Sequence, residues 1–349
     1  MERRRGWRFF TAMQAAVPSP QIILVLSGGH GLGAVQGGVW EAMEQAGLSP
    51  HWIIGTSVGA VNGAIIAGNV AGERLPRLKE FWTAASGSEF PWPEPATAGL
   101  RRAMSAMHAG RSLLFGREAL FWPRLRIADM LGRPSLFDRQ PLRQRLPQLI
   151  DFDLLNKGDI RFSLNATDVA DAAEVIFDSR SRLIGVEHLL ASSAFLPDFE
   201  PELIDGRWLA DGGLASNVSC DALTTDDLGK DVLCILVDLF RPSGQPPRTL
   251  ESGLELRQDL VFAAQVRRTT ALWRSRWEAR ARGKRFRVLH LAYRQSGDDL
   301  ALKTHDYSGA TIRRRWHAGQ EGAARCFAAI SAAAEAPEGF TVEPAALGA

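Results

Sequence analysis

Two short apolar runs that end in glycines, each followed by a helical pattern, constrain the fold of this chain more than any other feature. Residues 22–26 are wholly apolar and rich in β-branched side chains, which is typical of a strand buried on both faces. The spacing of later apolar residues predicts a helix at 35–46, a second strand at 52–54 and a helix of small residues up to about 67. Because strands that alternate with helices form parallel sheets covered by helices, we expect an α/β protein. Its fold class is a three-layer α/β/α arrangement around a mainly parallel central sheet.

The rest of the chain extends this pattern. We predict further strands at 161–166, 174–177, 232–239 and 286–293, a hairpin at 203–210, and long helices at 251–282 and 309–335.

The predicted domain organisation has four parts and one insertion. We expect an N-terminal tail at 1–20, a main domain at 21–240, a C-terminal extension packed on that domain at 241–335, and a flexible tail at 336–349, which is rich in Ala, Glu, Pro and Gly. The segment from about 84 to 150 interrupts the strand pattern with Pro, Trp, Phe, Met and Arg. We interpret it as a helical insertion that acts as a lid.

Composition limits the kinds of partner. The net charge of the 349 residues is only +2, which does not favour a nucleic-acid-binding protein. The three cysteines show no metal-ligand spacing, and histidines 51, 108, 188 and 317 form no i, i+4 pair, so we expect no metal and no cofactor. No clean apolar segment follows the basic N-terminus, and no apolar run reaches the ~18 residues of a membrane span. We therefore expect a cytoplasmic protein without a signal peptide, and its oligomeric state is left open.

The sequence GTSVG at residues 55–59 fits the pattern G-x-S-x-G between a predicted strand and a predicted helix. A tight turn in this place lifts the hydroxyl of Ser57 clear of the backbone, at a helix N-terminus that favours developing negative charge. The pentapeptide alone is weak evidence, since a plain glycine turn with a helix N-cap has the same appearance.

A glycine-rich loop at residues 27–33 follows the first strand directly. Consecutive glycines let backbone N–H groups converge on one anion, such as the tetrahedral intermediate of acyl transfer, and the N–H of Val58 is a further candidate donor. The loop also fits the dinucleotide pattern G-x-G-x-x-A. That interpretation requires an acid at the end of the second strand, where Thr56 and Ser57 stand instead, so we reject it.

Asp211 and two glycines follow the predicted hairpin. A carboxylate in this setting either projects into an open site or belongs to an ordinary Asp-Gly turn.

Four blocks, at residues 26–34, 55–62, 191–197 and 211–217, resemble the motifs of patatin-like phospholipases, in the same order. Segments 135–138, 305–308 and 315–319 resemble a bacterial subgroup with its own C-terminal extension. The resemblance implies a patatin-like fold and a lipid acyl hydrolase that acts through an acyl-enzyme. It also implies that Ser57 is the nucleophile, that Asp211 is its partner in a dyad, and that the oxyanion loop contains Gly28, Gly29, His30 and Gly31.

The glycine-rich loop departs from the family pattern at two positions. His30 stands where the family has a third glycine, and Leu32 stands where it usually has Arg or Lys. If position 30 requires a positive φ, the histidine will be strained. Its ring either adds a donor near the oxyanion or points away from it.

Other functions remain open at this stage. A Ser-His-Asp triad would use His290 or His305 as the base. A short-chain or polyester esterase on the same dyad and a catalytically silent lipid-binding protein are further alternatives. Basic and aromatic residues are mixed in the insertion and around Trp273 and Trp277, which favours contact with a membrane surface. The alternative is that these aromatic residues pack in the core.

Overall fold

The computed structural model describes residues 20–87, 97–124, 132, 134–219, 221–223, 228, 231–240, 246–280, 284–293, 302–332 and 338–348. The predicted tail at 1–20 lies outside these residues except for Pro20.

Eleven strands occur in the described part of the chain. They are β1 (Gln21–Leu26), β2 (Trp52–Thr56), β3 (Trp122–Pro123), β4 (Phe137–Asp138), β5 (Arg161–Asp168), β6 (Glu174–Asp178), β7 (Glu202–Ile204), β8 (Arg207–Asp211), β9 (Val232–Asp238), β10 (Arg285–Tyr293) and β11 (Gly339–Leu347). Strands β3 and β4 form a separate antiparallel pair, and the others form one sheet in the order β11-β10-β9-β1-β2-β5-β8-β7, with β6 paired to β5. The pairs from β11 to β5 are parallel, whereas β6, β7 and β8 run antiparallel to their neighbours.

Helices cover both faces of this sheet. They are α1 (Ala34–Gln45), α2 (Val58–Ala67), α3 (Arg74–Ser86), α4 (Ala98–Phe115), α5 (Gln140–Leu149), α6 (Phe152–Lys157), α7 (Val186–Ser192), α8 (Leu250–Arg280) and α9 (Gly309–Ala332). Leu24 and Leu26 of β1 belong to a core with residues of α1, α2 and α9, whereas Ile23 and Val25 belong to a second core with residues of α8. Side chains of a strand alternate between the two faces, so both faces of β1 are buried. The predicted three-layer α/β/α fold is confirmed.

The prediction of a flexible tail at 336–349 is wrong. Residues Gly339–Leu347 form β11, which pairs in parallel with the whole length of β10. Phe340 and Leu347 are buried in this strand. The composition of the segment suggested disorder, but an exposed strand edge supplies hydrogen bonds that no local pattern reveals.

The predicted insertion contains α4 and α5 together with the pair β3–β4 in its described part. Trp273 and Trp277 of α8 are buried in the second core, so core packing, and not lipid contact, accounts for these two side chains. Among the described residues, no helix is both long enough and apolar enough to cross a membrane.

Candidate active site

The site lies where β1 and β2 end. These neighbouring parallel strands pair Leu26 with Gly55, so the loops that follow them meet at the same edge of the sheet. Carboxyl ends of parallel strands are the usual position of ligand sites in such folds.

Ser57 connects β2 to α2 with φ 55° and ψ −123°, an unusual backbone conformation for a residue with a side chain. Its N–H donates to Ser192 Oγ at 3.0 Å, which ties the turn to α7. The residue is almost fully buried. This is the strained strand-to-helix turn that the G-x-S-x-G pattern predicts.

Asp211 is the last residue of β8 and lies beside Ser57. Its Oδ1 accepts a hydrogen bond from the Gly213 N–H at 2.7 Å, whereas its Oδ2 has no partner of standard geometry among the described residues. Burial raises the pKa of this carboxyl from 3.8 to about 7, and the adjacent Ser57 hydroxyl, the Gly213 N–H and the Arg139 guanidinium partly oppose that rise. The carboxyl is therefore suited to exchange protons near neutral pH.

The glycine-rich loop bends around the Ser57 side chain. The Gly28 N–H donates to Asn217 Oδ1 at 3.1 Å, so this amide is already occupied. The Leu32 N–H donates to Gly29 O at 3.0 Å. Within the described part of the chain, the N–H groups of Gly29, His30 and Gly31 have no acceptor, which leaves them available to a ligand.

His30 has φ 48°, so position 30 does take a positive φ, and the histidine adopts a conformation that is strained for a residue with a side chain. Its ring packs edge-on against Phe195 and Phe199, with centroid distances of 5.7 and 6.1 Å. Burial, together with the charge of nearby His305, lowers the pKa of His30. The imidazole is therefore neutral at physiological pH.

Two cavities border Ser57, and His30 lines both. The first spans about 460 Å³, including space open to solvent, and is mainly apolar, with Val58, Val61, Phe81, Trp82, Leu120, Phe121, Leu142, Phe199 and Tyr307 in its wall. The second spans about 280 Å³, again including open space, and its wall contains Asp211 and the more polar side chains of Asn217, Gln258 and Thr304. Ser57 thus lies between an apolar and a more polar compartment.

A family model for patatin-like phospholipases matches residues 24–224, more than half of the chain. The chain belongs to the patatin-like phospholipase family. A second family model, described as patatin phospholipase, matches residues 256–338. Membership of this family supports lipid hydrolase activity.

The chain is also similar, at low sequence identity, to several solved structures. VipD from Legionella pneumophila shares 13% identity at a TM-score of 0.43, with 89% of this chain and 67% of that chain covered. The type III effector protein ExoU shares 16% identity at a TM-score of 0.36, with coverage of 90% and 54%. ExoU of Pseudomonas aeruginosa in complex with SpcU gives 15% identity, a TM-score of 0.31, and coverage of 76% and 54%. The chain spans about half the length of the ExoU chains. A search of curated proteins finds no match.

Both alternative histidine bases are engaged elsewhere. His290 Nε2 lies 3.0 Å from Asp238 Oδ2, and His305 Nε2 lies 3.0 Å from Asp198 Oδ2. In the described structure neither histidine lines the cavities at Ser57. The geometry therefore does not support a Ser-His-Asp triad with either of these histidines.

Local sequence patterns missed Asp198 and Arg139 beside this site, and they did not reveal that His30 lies next to His305. His30, Asp198 and His305 bring one potential metal ligand each to within 4.8 Å of one another, although they are far apart in sequence. Arg139 of the insertion is buried and donates to Leu190 O of α7, to Ser193 Oγ and to Glu202 Oε1 of β7. The amide of Asn217 lay within a motif that we noted, but its bond to Gly28 could not be foreseen. Leu32 is fully buried in the apolar core and brings no charge to the loop.

Proposed function

We propose that this chain hydrolyses carboxylic esters of lipids, with Ser57 as the nucleophile and Asp211 as its only general base. The observation that carries the proposal is the position of a buried carboxyl with a raised pKa next to a serine in a strained strand-to-helix turn. Both residues line the same cavity.

Asp211 is suited to the role of the base because its pKa of about 7 matches the pH at which it works. A carboxylate with an ordinary pKa would retain the serine proton too weakly. Burial raises the proton affinity without a histidine, and the vacant Oδ2 offers the position that receives the proton.

The reaction proceeds through an acyl-enzyme. Ser57 Oγ attacks the ester carbonyl carbon as its proton moves to Asp211, and the carbonyl π electrons move to the oxygen. When the tetrahedral intermediate collapses, the C–O bond to the alcohol breaks and the alkoxide takes the proton from Asp211. Water then gives a proton to Asp211 and attacks the acyl group, after which Ser57 leaves and recovers its proton.

The available N–H groups of Gly29, His30 and Gly31, together with that of Val58 at the start of α2, would stabilise the oxyanion. Gly28 contributes differently. Its N–H is bound to Asn217, and the absence of a side chain lets the loop approach Ser57, since a Cβ on Gly28 would lie 3.0 Å from Ser57 Cβ.

The apolar cavity is the proposed acyl site, because burial of each methylene stabilises a bound chain by about 0.8 kcal/mol. The more polar cavity then receives the alcohol, which places the two ends of the ester on opposite sides of Ser57.

Turnover of p-nitrophenyl esters and mixed phospholipids by wild type, Ser57→Ala and Asp211→Asn tests the proposal. We expect both variants to lose turnover and a serine-directed phosphonate to label only chains that retain Ser57. Preference for short acyl chains or polyesters would identify the alternative esterase. Wild type that neither turns over any ester nor accepts the phosphonate would refute the proposal and favour a silent lipid-binding protein.

We also propose that α4 contacts a lipid surface. Leu100, Met107 and Leu114 occur seven residues apart and are 53%, 60% and 65% exposed, so they form one apolar stripe along the helix. Phe115 at the end of α4 and Trp122 of β3 are exposed as well. The helix also carries the exposed Arg102, which pairs with Glu251 at 3.8 Å, and the exposed Arg111. Such a face suits an anionic interface.

Co-sedimentation with vesicles that contain anionic phospholipid tests this surface. We expect the double variant Met107→Ser/Leu114→Ser to lose vesicle binding. Leu183→Ser, which changes a leucine that is 73% exposed and lies outside α4, is the control. Unchanged binding of the double variant would rule out α4 as the contact.

A further inference from the structure

Arg315 of α9 is fully buried and reaches the glycine-rich loop from the C-terminal part of the chain. Its Nη1 donates to Gly31 O at 3.1 Å and to Asp306 O at 2.8 Å, and its Nη2 donates to Lys303 O at 2.7 Å. One guanidinium thus joins the loop to the segment between residues 303 and 306.

Burying this cation is costly, and its main partners are neutral carbonyl groups. A guanidinium removed from water is retained only where it has hydrogen bonds and compensating charge. The carboxylate of Asp306 supplies the compensating negative charge. The positive charge of Arg315 in turn helps to hold the pKa of the Asp306 carboxyl below its ordinary value, against the effect of burial. An apolar side chain of similar volume would fill the space at less cost, but it could not hydrogen-bond to three carbonyl groups at once.

The bond to Gly31 restrains one particular peptide unit. The carbonyl of Gly31 accepts from Arg315, and the N–H of Leu32 in the same unit donates to Gly29 O. The two bonds hold this unit at both ends, next to His30 with its positive φ. A strained residue keeps its conformation only where the surroundings impose it, and these bonds supply that restraint.

The packing around Gly31 leaves little freedom. A Cβ at this position would lie 2.9 Å from Thr304 O and 3.3 Å from Arg315 Nη1. The neighbouring Asp306 accepts hydrogen bonds from Ser105 of α4 and from Thr311 of α9. The loop therefore rests on a hydrogen-bonded polar segment, residues 303–315, which lies more than 270 residues from Gly31 in sequence.

We propose that Arg315 is a positioning residue for the oxyanion loop. By holding the Gly31 carbonyl away from Ser57, it keeps the N–H groups of Gly29, His30 and Gly31 directed at the substrate oxygen. The C-terminal extension thereby completes the active site. This inference rests on the proposed function, because it assigns Arg315 a part in the same reaction.

The experiment compares wild type with Arg315→Lys, Arg315→Met and the control Arg313→Gln, an exposed arginine on the same helix. For each protein, kcat, KM, the melting temperature, and the rate and final extent of Ser57 phosphonylation are measured. We expect kcat and the phosphonylation rate to fall about 100-fold in Arg315→Met and about tenfold in Arg315→Lys, since small displacements of catalytic groups have effects of this size. KM and the final extent of labelling should remain close to wild type, and low-millimolar guanidinium should restore part of the rate of Arg315→Met.

Each outcome is decisive. If labelling of the Arg315 variants remains incomplete while the labelled fraction reacts at the wild-type rate, the arginine only supports folding and the inference is wrong. Wild-type kcat in both Arg315 variants also overturns it, while leaving the proposed function intact. If wild type itself shows neither turnover nor labelling, the proposed function and this inference fail together.

Discussion

The Asp211→Asn substitution tests the buried carboxyl through stability. Asp211 is 2% exposed, and burial raises its pKa to about 7, whereas the ordinary value is 3.8. Because the folded-state pKa is the higher one, the folded protein binds this proton more tightly than the unfolded chain does. The contribution of the group to stability is therefore greatest below pH 3.8, falls as the pH rises towards 7, and is constant above 7.

The magnitude follows from that pH window. Between pH 3.8 and about 7, each pH unit lowers the free energy of unfolding by about 1.4 kcal/mol. From pH 5 to pH 8, wild type therefore loses about 2–3 kcal/mol of this free energy through Asp211. Asparagine does not titrate and avoids this loss. We expect the stability of Asp211→Asn relative to wild type to be about 2–3 kcal/mol more favourable at pH 8 than at pH 5. Differences in packing cancel because they are present at both pH values.

Urea denaturation at pH 5 and pH 8 measures this change, with Asp171→Asn as a control for an exposed carboxyl. The control should differ from wild type by the same small amount at both pH values. An equally constant difference for Asp211→Asn would show that this carboxyl has an ordinary pKa, and it would remove the physical basis for a general base without histidine.

The remaining predictions concern turnover. We expect kcat/KM to rise about tenfold per pH unit below pH 7 and to level off above it, because Asp211 must be ionised to accept the Ser57 proton; a pH–rate profile measures this. Gly28→Ala should lower kcat about 100-fold, since the new Cβ would lie 2.6 Å from Asn217 Oδ1 and 3.0 Å from Ser57 Cβ; unchanged kcat would show that the loop can move aside. Leu142→Trp should shift the preference among p-nitrophenyl esters towards shorter acyl chains, by about tenfold for the space of two methylenes, because Leu142 lines the apolar cavity; an unshifted preference would place the acyl chain elsewhere.

Local patterns predicted many of the strands and helices, although not β3, β4 or β11. The apolar run of β1, the glycine turn before α2 and the hairpin β7–β8 each contain the physical reason for their structure within a few residues. Ser57 could be singled out for the same reason, since the glycines of its motif permit the tight turn. The role of Asp211 as its partner was implied by the resemblance of its motif to the patatin-like family. Burial on both faces of the first strands also indicated the three layers.

Tertiary structure alone decided what surrounds these residues. The place of β11 depends on a free edge of β10, and no pattern within residues 336–349 reveals that edge. The raised pKa of Asp211 depends on how completely other segments exclude water from it. The support of the oxyanion loop by Arg315 joins positions 31 and 315. Hydrogen bonds, burial and charge act over a few ångströms in space, so residues distant in sequence determine the chemistry of this site only after the chain has folded.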